Sequence, residues 1–220
     1  MKSYLPLFRD NTLFAGIDDE HIEKLIACLS ARKKTIHPNA FLFQTGDPVD
    51  KVYLLVSGCL HILDEDFWGN RSIVETMHAP IFLGEAYAFS GMKTHLVSVM
   101  AAEESVVFSI DPKKLFEICP NGCQCHHVLI ENAARILSTK VVRLTEKLGY
   151  IAKRSTREKI LSYLSMCARR EQSNAVNIPY SRQELADYLC VERSALSHEL
   201  SKMRADGIIQ FRKNHFELTV

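Results

Sequence analysis

Several side chains near the C-terminus are of the types that contact DNA bases or bind phosphates. They lie outside the apolar stripe of a predicted helix, which Leu196, Leu200 and Met203 form at helical spacing. Arginine can donate two hydrogen bonds to O6 and N7 of guanine, and a serine hydroxyl can donate or accept one. Such a helix is suited to the major groove of double-stranded DNA. The polar residues outside the stripe are Arg193, Ser194, Ser197, His198, Ser201 and Lys202.

A helix-turn-helix motif is predicted to position this second helix. Ser181 and Glu184 have the spacing of a capping box, in which each side chain accepts a hydrogen bond from the backbone N–H of the other residue. A first helix therefore begins at this point, and it is interrupted at 190–192. Arg182 and Gln183, at the start of the first helix, are predicted to contact DNA as well.

A small wing hairpin is predicted to follow the two helices. Asp206-Gly207 ends the second helix, and two short strand-like runs, 208–211 and 215–218, are joined by a turn at Lys213-Asn214. The capping box, the turn and the wing together predict a DNA-binding domain. The alternative is an ordinary helical hairpin with a solvated face.

The charge distribution supports a nucleic-acid partner for the second half of the chain. The 220 residues carry a formal charge of only +1, but residues 1–121 contain 11 basic and 16 acidic residues, a balance of −5. Residues 122–220 contain 16 basic and 10 acidic residues, a balance of +6. The near-neutral total therefore combines an acidic first half with a basic second half.

The composition and the termini predict a soluble cytoplasmic protein without a membrane partner. A hydrophobic fraction of 47% is enough for a packed core and excludes a disordered or collagen-like chain. The N-terminus does not resemble a signal peptide, and the apolar runs are too short to span a bilayer. The seven cysteines are an odd number, which argues against a fully paired disulfide framework.

The first half of the chain is predicted to form an antiparallel barrel or sandwich. A helix over 17–29 comes first, and it is followed by short strand-like runs separated by turn residues. The predicted strands are 40–43, 52–56, 60–63, 72–77, 96–100 and 106–110.

A long helix beginning near Gln124 is predicted to dimerise. Its apolar residues alternate at intervals of four and three, which is the a/d pattern of a coiled coil. Ile136 and Val142 lie outside this stripe, so the helix could also pack on the strand domain. The alternative is a helix that packs only on the core of its own domain. The predicted dimer seam consists of Ile130, Ala134, Leu137, Val141, Leu144, Leu148 and Ile151.

The string SRQELADYLCVERSALSHELSKMRADGII resembles the winged helix of the cyclic-AMP receptor protein/FNR (Crp/Fnr) family of bacterial transcription regulators. The resemblance implies an α+β fold with an N-terminal β-roll sensor domain, a double-stranded β-helix or jelly-roll like the cyclic-nucleotide-binding domains, over 1–123. It implies a dimerisation helix over 124–152 and a C-terminal winged helix-turn-helix over 153–220, with a hinge near 153–156.

The resemblance also implies the partners of the protein and the residues that contact DNA. A homodimer would bind a palindromic operator in response to a small-molecule effector, and an activator would also contact RNA polymerase. The base-contacting positions of the family fall on Arg193, Ser194, Ser197 and His198. Many members have glutamate at the position of Ser194 and arginine at the position of His198, so a different operator is expected.

The segment from Phe82 to Glu85 resembles the cyclic-nucleotide pocket of the family. Gly84 and Glu85 match the family pattern, but the Arg-Ser pair that holds the phosphate in the family is replaced by His95 and Leu96. A leucine offers no side-chain donor, and a histidine is mostly neutral at pH 7. The effector is therefore predicted not to be cyclic AMP, and Glu85 could simply accept hydrogen bonds from nearby amides.

Thiols and imidazoles are concentrated between the two halves of the chain. They could ligate zinc, copper or an iron–sulfur cluster, or sense redox state, although the spacing matches none of the common patterns. Haem ligation by His95, His126 or His127 is a further alternative, and inert thiols are the favoured interpretation. The residues concerned are Cys119, Cys123, Cys125, His126 and His127.

The sequence favours no enzymatic function. No G-x-S-x-G, P-loop or H-E-x-x-H string occurs. The rival prediction from another functional class is a metalloenzyme or redox protein that uses the cysteine and histidine cluster and does not bind DNA.

Overall fold

A computed structural model describes residues 5–66, 68–69, 71–116 and 125–219 of the chain. The chain divides into two compact units, 1–139 and 140–220, with the boundary inside one long helix. Cys119 and Cys123, two of the candidate metal or redox residues, lie outside the described residues.

Within its described residues, the first unit contains short helices and eight strands. A single 3-10 turn, Thr12–Phe14, separates the first two helices. The helices are α1 Leu5–Arg9, α2 Asp19–Cys28, α3 Glu85–Ser90, α4 Pro112–Phe116 and the start of α5 Cys125–Ile151. The strands are β1 Arg32–Ile36, β2 Phe41–Phe43, β3 Val52–Ser57, β4 Cys59–Glu65, β5 Arg71–His78, β6 Ile81–Leu83, β7 Ser98–Ala101 and β8 Ser105–Ile110.

The strands form two four-stranded antiparallel sheets, which confirms the predicted β-roll. One sheet has the order β1-β8-β3-β6 and the other β2-β7-β4-β5. Strands that are neighbours in the sequence therefore often lie in different sheets. The turn from β3 to β4 requires glycine, since Gly58 has φ +94° and a Cβ there would lie 2.7 Å from the carbonyl oxygen of Glu104.

Strand β3 is buried on both faces, which explains its unbroken apolar run. Val52 and Leu54 point into a core shared with the helices, and Tyr53 and Leu55 point into the core that also receives side chains of the second sheet. The start of α5 contributes Leu129 and Ala133 to the helical core.

A buried asparagine fixes the start of α5 to the N-terminal segment. Asn132 Nδ2 donates hydrogen bonds to the carbonyl oxygens of Leu13 at 3.1 Å and Ala15 at 2.8 Å. These contacts satisfy a buried amide that would otherwise be costly to desolvate. This face of the helix, and not the predicted dimer seam, packs on the unit.

The second unit is built around a three-stranded antiparallel sheet with the order β10-β11-β9. A capping box formed by Ser155 and Glu158 begins its first complete helix. The apolar sides of its helices pack on the sheet around Val176 and Phe216. The elements that follow α5 are α6 Thr156–Glu171, β9 Ala175–Asn177, α7 Arg182–Tyr188, α8 Arg193–Ala205, β10 Ile209–Arg212 and β11 His215–Leu218.

The structure contains several elements that the sequence patterns do not indicate. Strands β1 and β6 and the three short helices α1, α3 and α4 are additional to the predicted set. Of the two residues outside the seam, Ile136 packs on the first unit, as the sequence suggested, whereas Val142 is 55% exposed. Among the described residues, no helix is both long enough and apolar enough to cross a lipid bilayer.

Candidate DNA-binding and effector sites

The start of α7 is set by the predicted capping box. The Ser181 hydroxyl accepts a hydrogen bond from the backbone N–H of Glu184 at 3.3 Å, and the Glu184 carboxylate accepts one from the Ser181 N–H at 2.7 Å. These hydrogen bonds stabilise the ionised carboxylate and lower the pKa of Glu184. The prediction of a helix start at this position is confirmed.

The turn between α7 and α8 is closed by a left-handed residue and by a lysine from α6. Cys190 has φ +53°, and its N–H donates to the carbonyl oxygen of Asp187 at 3.1 Å. Lys159 Nζ donates to the carbonyl oxygens of Leu189 and Cys190, both at 3.2 Å. A cation at the C-terminal end of α7 satisfies carbonyl groups that have no partner within the helix.

Helix α8 has the two faces that the sequence predicts. Leu196, Leu200 and Met203 are almost completely buried. The opposite face is polar and accessible, although Ser201 also donates its hydroxyl to the carbonyl oxygen of Ser197 at 3.0 Å. The exposed residues predicted to contact DNA are Arg193, Ser194, Ser197, His198 and Lys202 on α8 and Gln183 on α7.

An arginine of α6 holds α8 at two points. Arg157 Nη1 donates to Glu199 Oε1 at 3.2 Å, and Nη2 donates to Asp206 Oδ2 at 2.6 Å. These acidic partners raise the pKa of Arg157. Nothing in the local sequence pattern indicates this interaction, because the three residues lie on separate stretches of the chain.

A cluster of four tyrosines joins the end of α5 to α6 and α7. Tyr150 donates its hydroxyl to that of Tyr188, and ring centroids of neighbouring members lie 4.6–6.4 Å apart. Burial raises the pKa of Tyr150 and Tyr163 and raises that of Tyr180 to about 12. A hinge at 153–156, as the family resemblance implies, would have to separate these rings.

Removing one hydroxyl from this cluster should weaken the second unit measurably. We expect Tyr150→Phe to lower its free energy of unfolding by about 1 kcal/mol, because the hydrogen bond from the Tyr150 hydroxyl to Tyr188 is lost. Urea denaturation followed by tyrosine fluorescence measures the change. Tyr87→Phe, which keeps a ring in the first unit, is the control and should change stability by less than about 0.5 kcal/mol. Equal effects of the two variants would contradict the prediction.

The structure places Arg182 against the wing, although the sequence predicts a DNA contact there. Its guanidinium carbon lies 5.0 Å from the ring centroid of Phe211 and 4.9 Å from that of Phe216. Nη2 donates to the carbonyl oxygen of Lys213 at 2.8 Å, and Nη1 is buried without a hydrogen-bond partner in the described residues. Burial lowers the pKa of Arg182.

The four candidate effector residues differ in their surroundings. Gly84 precedes α3 with φ +85°, where a Cβ would lie 3.4 Å from the carbonyl oxygen of Lys51. Glu85 is buried, and Leu96 is 58% exposed. The left-handed backbone at Gly84 therefore favours glycine whether or not a nucleotide binds. Glu85 is enclosed by the protein, and Leu96 presents an apolar side chain to solvent.

His95 is buried among aromatic rings. Its imidazole stacks on Phe43 with centroids 3.8 Å apart and meets the edge of Tyr87 at 5.2 Å. Its Nδ1 is buried without a hydrogen-bond partner among the described residues. Desolvation lowers the pKa of His95 and outweighs the opposite effect of Asp47 and Asp50, so the neutral form predominates at pH 7.

The described part of the cysteine and histidine cluster shows no metal site. Cys125 is half-buried and His126 buried at the start of α5, while His127 Nε2 lies 3.1 Å from Glu131 Oε1. Across the ranges 5–66, 68–69, 71–116 and 125–219, no group of three or more His, Cys, Asp or Glu side chains could hold a metal ion. The roles of Cys119 and Cys123 stay predictions.

The predicted dimer seam is exposed between Val141 and Leu148 of α5, whereas its last member, Ile151, is half-buried and packs on the core of the second unit. Ile130 and Leu137 are half-buried and Ala134 is exposed, whereas Val141, Leu144 and Leu148 each expose about 60% of their surface. Large exposed apolar side chains at coiled-coil spacing are typical of a helix that has a partner.

Comparisons with known proteins match both units. The model of the cyclic nucleotide-binding domain family matches residues 33–121, and that of the Crp-like helix-turn-helix domain matches residues 158–220. The chain is 26% identical over 185 residues to the transcriptional activator protein Anr of Pseudomonas protegens, a match covering 81% of this chain and 72% of that protein. It is 24% identical over 179 residues to the nitrogen fixation regulation protein FixK of Rhizobium meliloti, covering 81% and 78%.

A solved structure shares the fold. The catabolite activator protein of Thermus thermophilus aligns with a TM-score of 0.55 at 16% identity, covering 94% of this chain and 93% of that one. A cyclic-nucleotide-binding-like β-roll followed by a winged helix-turn-helix is therefore the common architecture.

Proposed function

The chain belongs to the Crp/Fnr family of DNA-binding transcription regulators with an effector-binding domain, and from that premise we propose that it acts as a homodimer on a palindromic operator in response to an effector other than cyclic AMP. We propose that it acts in the cytoplasm and has no catalytic role. Contact with RNA polymerase is part of the proposal if the protein is an activator.

The exposed polar face of α8 is the observation that supports DNA binding by these particular residues. Its buried stripe and the Arg157 contacts hold the helix on the unit, so the polar side chains need no rearrangement to contact a base edge. We propose that Arg193, Ser194, Ser197 and His198 contact bases and that Gln183 and Lys202 contact phosphates. Serine and histidine at 194 and 198 support an operator different from that of many family members.

The exposed half of the α5 seam supports the homodimer. Two copies paired through Val141, Leu144 and Leu148 would cover apolar surface that one copy leaves in water. Two-fold symmetry would then place the two α8 helices in half-sites one helical turn of DNA apart, about 34 Å.

The surroundings of His95 and Leu96 support an effector without a cyclic phosphate. A neutral imidazole held between rings and an exposed leucine offer no fixed cation and no hydroxyl at the positions where the family holds the phosphate. We propose a small molecule that either is uncharged or is not held at the positions that bind the phosphate in the family. No metal, cluster or haem is required.

Selection of operators from random DNA tests the proposed function. We expect the full chain to enrich a two-fold symmetric site and to bind it with a steep dependence on salt. Cyclic AMP and cyclic GMP, tested up to about 1 mM by calorimetry, should neither bind nor change operator affinity. Failure to enrich any sequence would contradict the regulator function, whereas nucleotide binding would contradict only the effector.

His198→Ala provides a residue-level check in the same selection. We expect an altered base preference at one position of each half-site, because the imidazole can no longer hydrogen-bond a base. His21→Ala, which removes a partly exposed histidine of the first unit, is the control and should select the wild-type site. Unchanged preference in His198→Ala would remove this residue from the base-contacting set.

A further inference from the structure

The wing hairpin is held by an arginine that belongs to α7. The rings of Phe211 and Phe216 are register partners across β10 and β11, with centroids 5.7 Å apart. The guanidinium of Arg182 lies within 5.0 Å of both centroids, which is cation–π distance. The first residue of α7 therefore rests on both strands of the wing.

The same guanidinium also supports the turn at the tip of the wing. Lys213 has φ +53°, a conformation that costs free energy for a residue with a side chain. Its carbonyl oxygen accepts the hydrogen bond from Arg182 Nη2 at 2.8 Å. This contact stabilises the turn that presents the exposed cations Arg212 and Lys213.

The geometry leaves Arg182 poorly placed for DNA. Nη1 is buried and has no hydrogen-bond partner among the described residues, while Nη2 is engaged with the Lys213 carbonyl. Arg204 adds a second guanidinium 4.9 Å from the Phe211 centroid. The Phe211 ring therefore contacts cations from both α7 and α8.

We propose that Arg182 is a positioning residue that fixes the wing against α7 and does not itself contact phosphate. The effect of Arg182 on operator binding rests on the proposed function, whereas its effect on the position of the wing is a property of the protein without DNA. A lysine cannot replace the arginine in this role, because only a planar guanidinium can lie on two rings and donate to a carbonyl in one geometry.

Hydrogen exchange of the full chain without DNA tests the position of the wing. We expect Arg182→Gln and Arg182→Lys to accelerate exchange of the β10 and β11 amides by roughly tenfold or more, with α8 unchanged. Arg212→Gln removes an exposed cation of the same wing and should leave exchange as in the wild type. Unchanged wing exchange in Arg182→Gln would overturn the proposal, as would equal acceleration in α8 and the wing.

Operator binding by the same variants separates positioning from phosphate contact. A phosphate contact would be largely retained in Arg182→Lys, because lysine also binds phosphate as a point charge. We expect instead that Arg182→Lys and Arg182→Gln lose similar affinity, about tenfold. Wild-type affinity in Arg182→Lys would overturn the proposal. If the wild type binds no operator, the proposed function fails, and the exchange experiment still decides the role of Arg182.

Discussion

Replacing Leu144 and Leu148 with glutamate is expected to split the homodimer and raise its dissociation constant by at least about a thousandfold. Both leucines lie at seam positions of α5 and expose 61% of their surface in a single copy. Burying one leucine side chain contributes about 1.5–3 kcal/mol, and a symmetric interface buries each residue twice. Glutamates would add the cost of desolvating like charges against each other.

The same helix offers a matched control for this experiment. Val142 is 55% exposed, but it lies outside the seam, so Val142→Glu should leave the protein dimeric. Analytical ultracentrifugation measures the oligomeric state, and circular dichroism verifies that each variant is folded. A dimeric Leu144→Glu/Leu148→Glu variant would show that the chain dimerises through another surface. Operator affinity should fall together with dimerisation, since one monomer contacts one half-site.

Arg193→Ala is expected to lower operator affinity by about a hundredfold or more and to relax base preference at one position of each half-site. A bidentate contact between arginine and guanine contributes about 1–3 kcal/mol of discrimination, and a homodimer would lose two such contacts. Arg193 is the first residue of α8 and is exposed, so its removal should not affect folding.

A second arginine variant separates this specific effect from the loss of positive charge. Arg169→Ala removes an exposed cation near the end of α6 and should weaken binding only slightly, with base preference unchanged. Binding curves on the selected operator, on a site altered at one base and across salt concentrations give both quantities. If Arg193→Ala weakens binding equally on both sites and reduces the salt slope, the residue contacts phosphate instead of a base.

Local sequence signals were sufficient for the DNA-binding motif. The hydrogen bonds of the capping box join residues three positions apart, and the buried stripe of α8 repeats every three or four residues. Each pattern lies within a single helix, so the two helices and the polar face could be predicted. The wing was predictable as well, because turn residues separate its two strands.

Contacts between distant segments could not be predicted in this way. Strand β1 begins Arg32-Lys33-Lys34 and lies at the edge of its sheet, where backbone hydrogen bonds to β8 define the strand and the exposed side chains carry no apolar pattern. The role of Arg182 depends on Phe211 and Phe216, which only the folded hairpin brings together. The surroundings of His95, which lies ahead of β7, depend in the same way on Phe43 of β2.

The tyrosine cluster has a consequence for the spacing of the two operator half-sites. Tyr150 ties the last turn of α5 into the DNA-binding core, and Leu144 and Leu148 lie just ahead of it on the same helix. An α-helix turns by about 100° and advances about 1.5 Å per residue. The number of residues in this stretch therefore sets the rotation and displacement of α8 relative to the two-fold axis of the dimer. One residue inserted after Leu148 would turn both α8 helices away from the major grooves. The spacing of the half-sites that the dimer can bind would then depend on the number of residues from Leu148 to Tyr150.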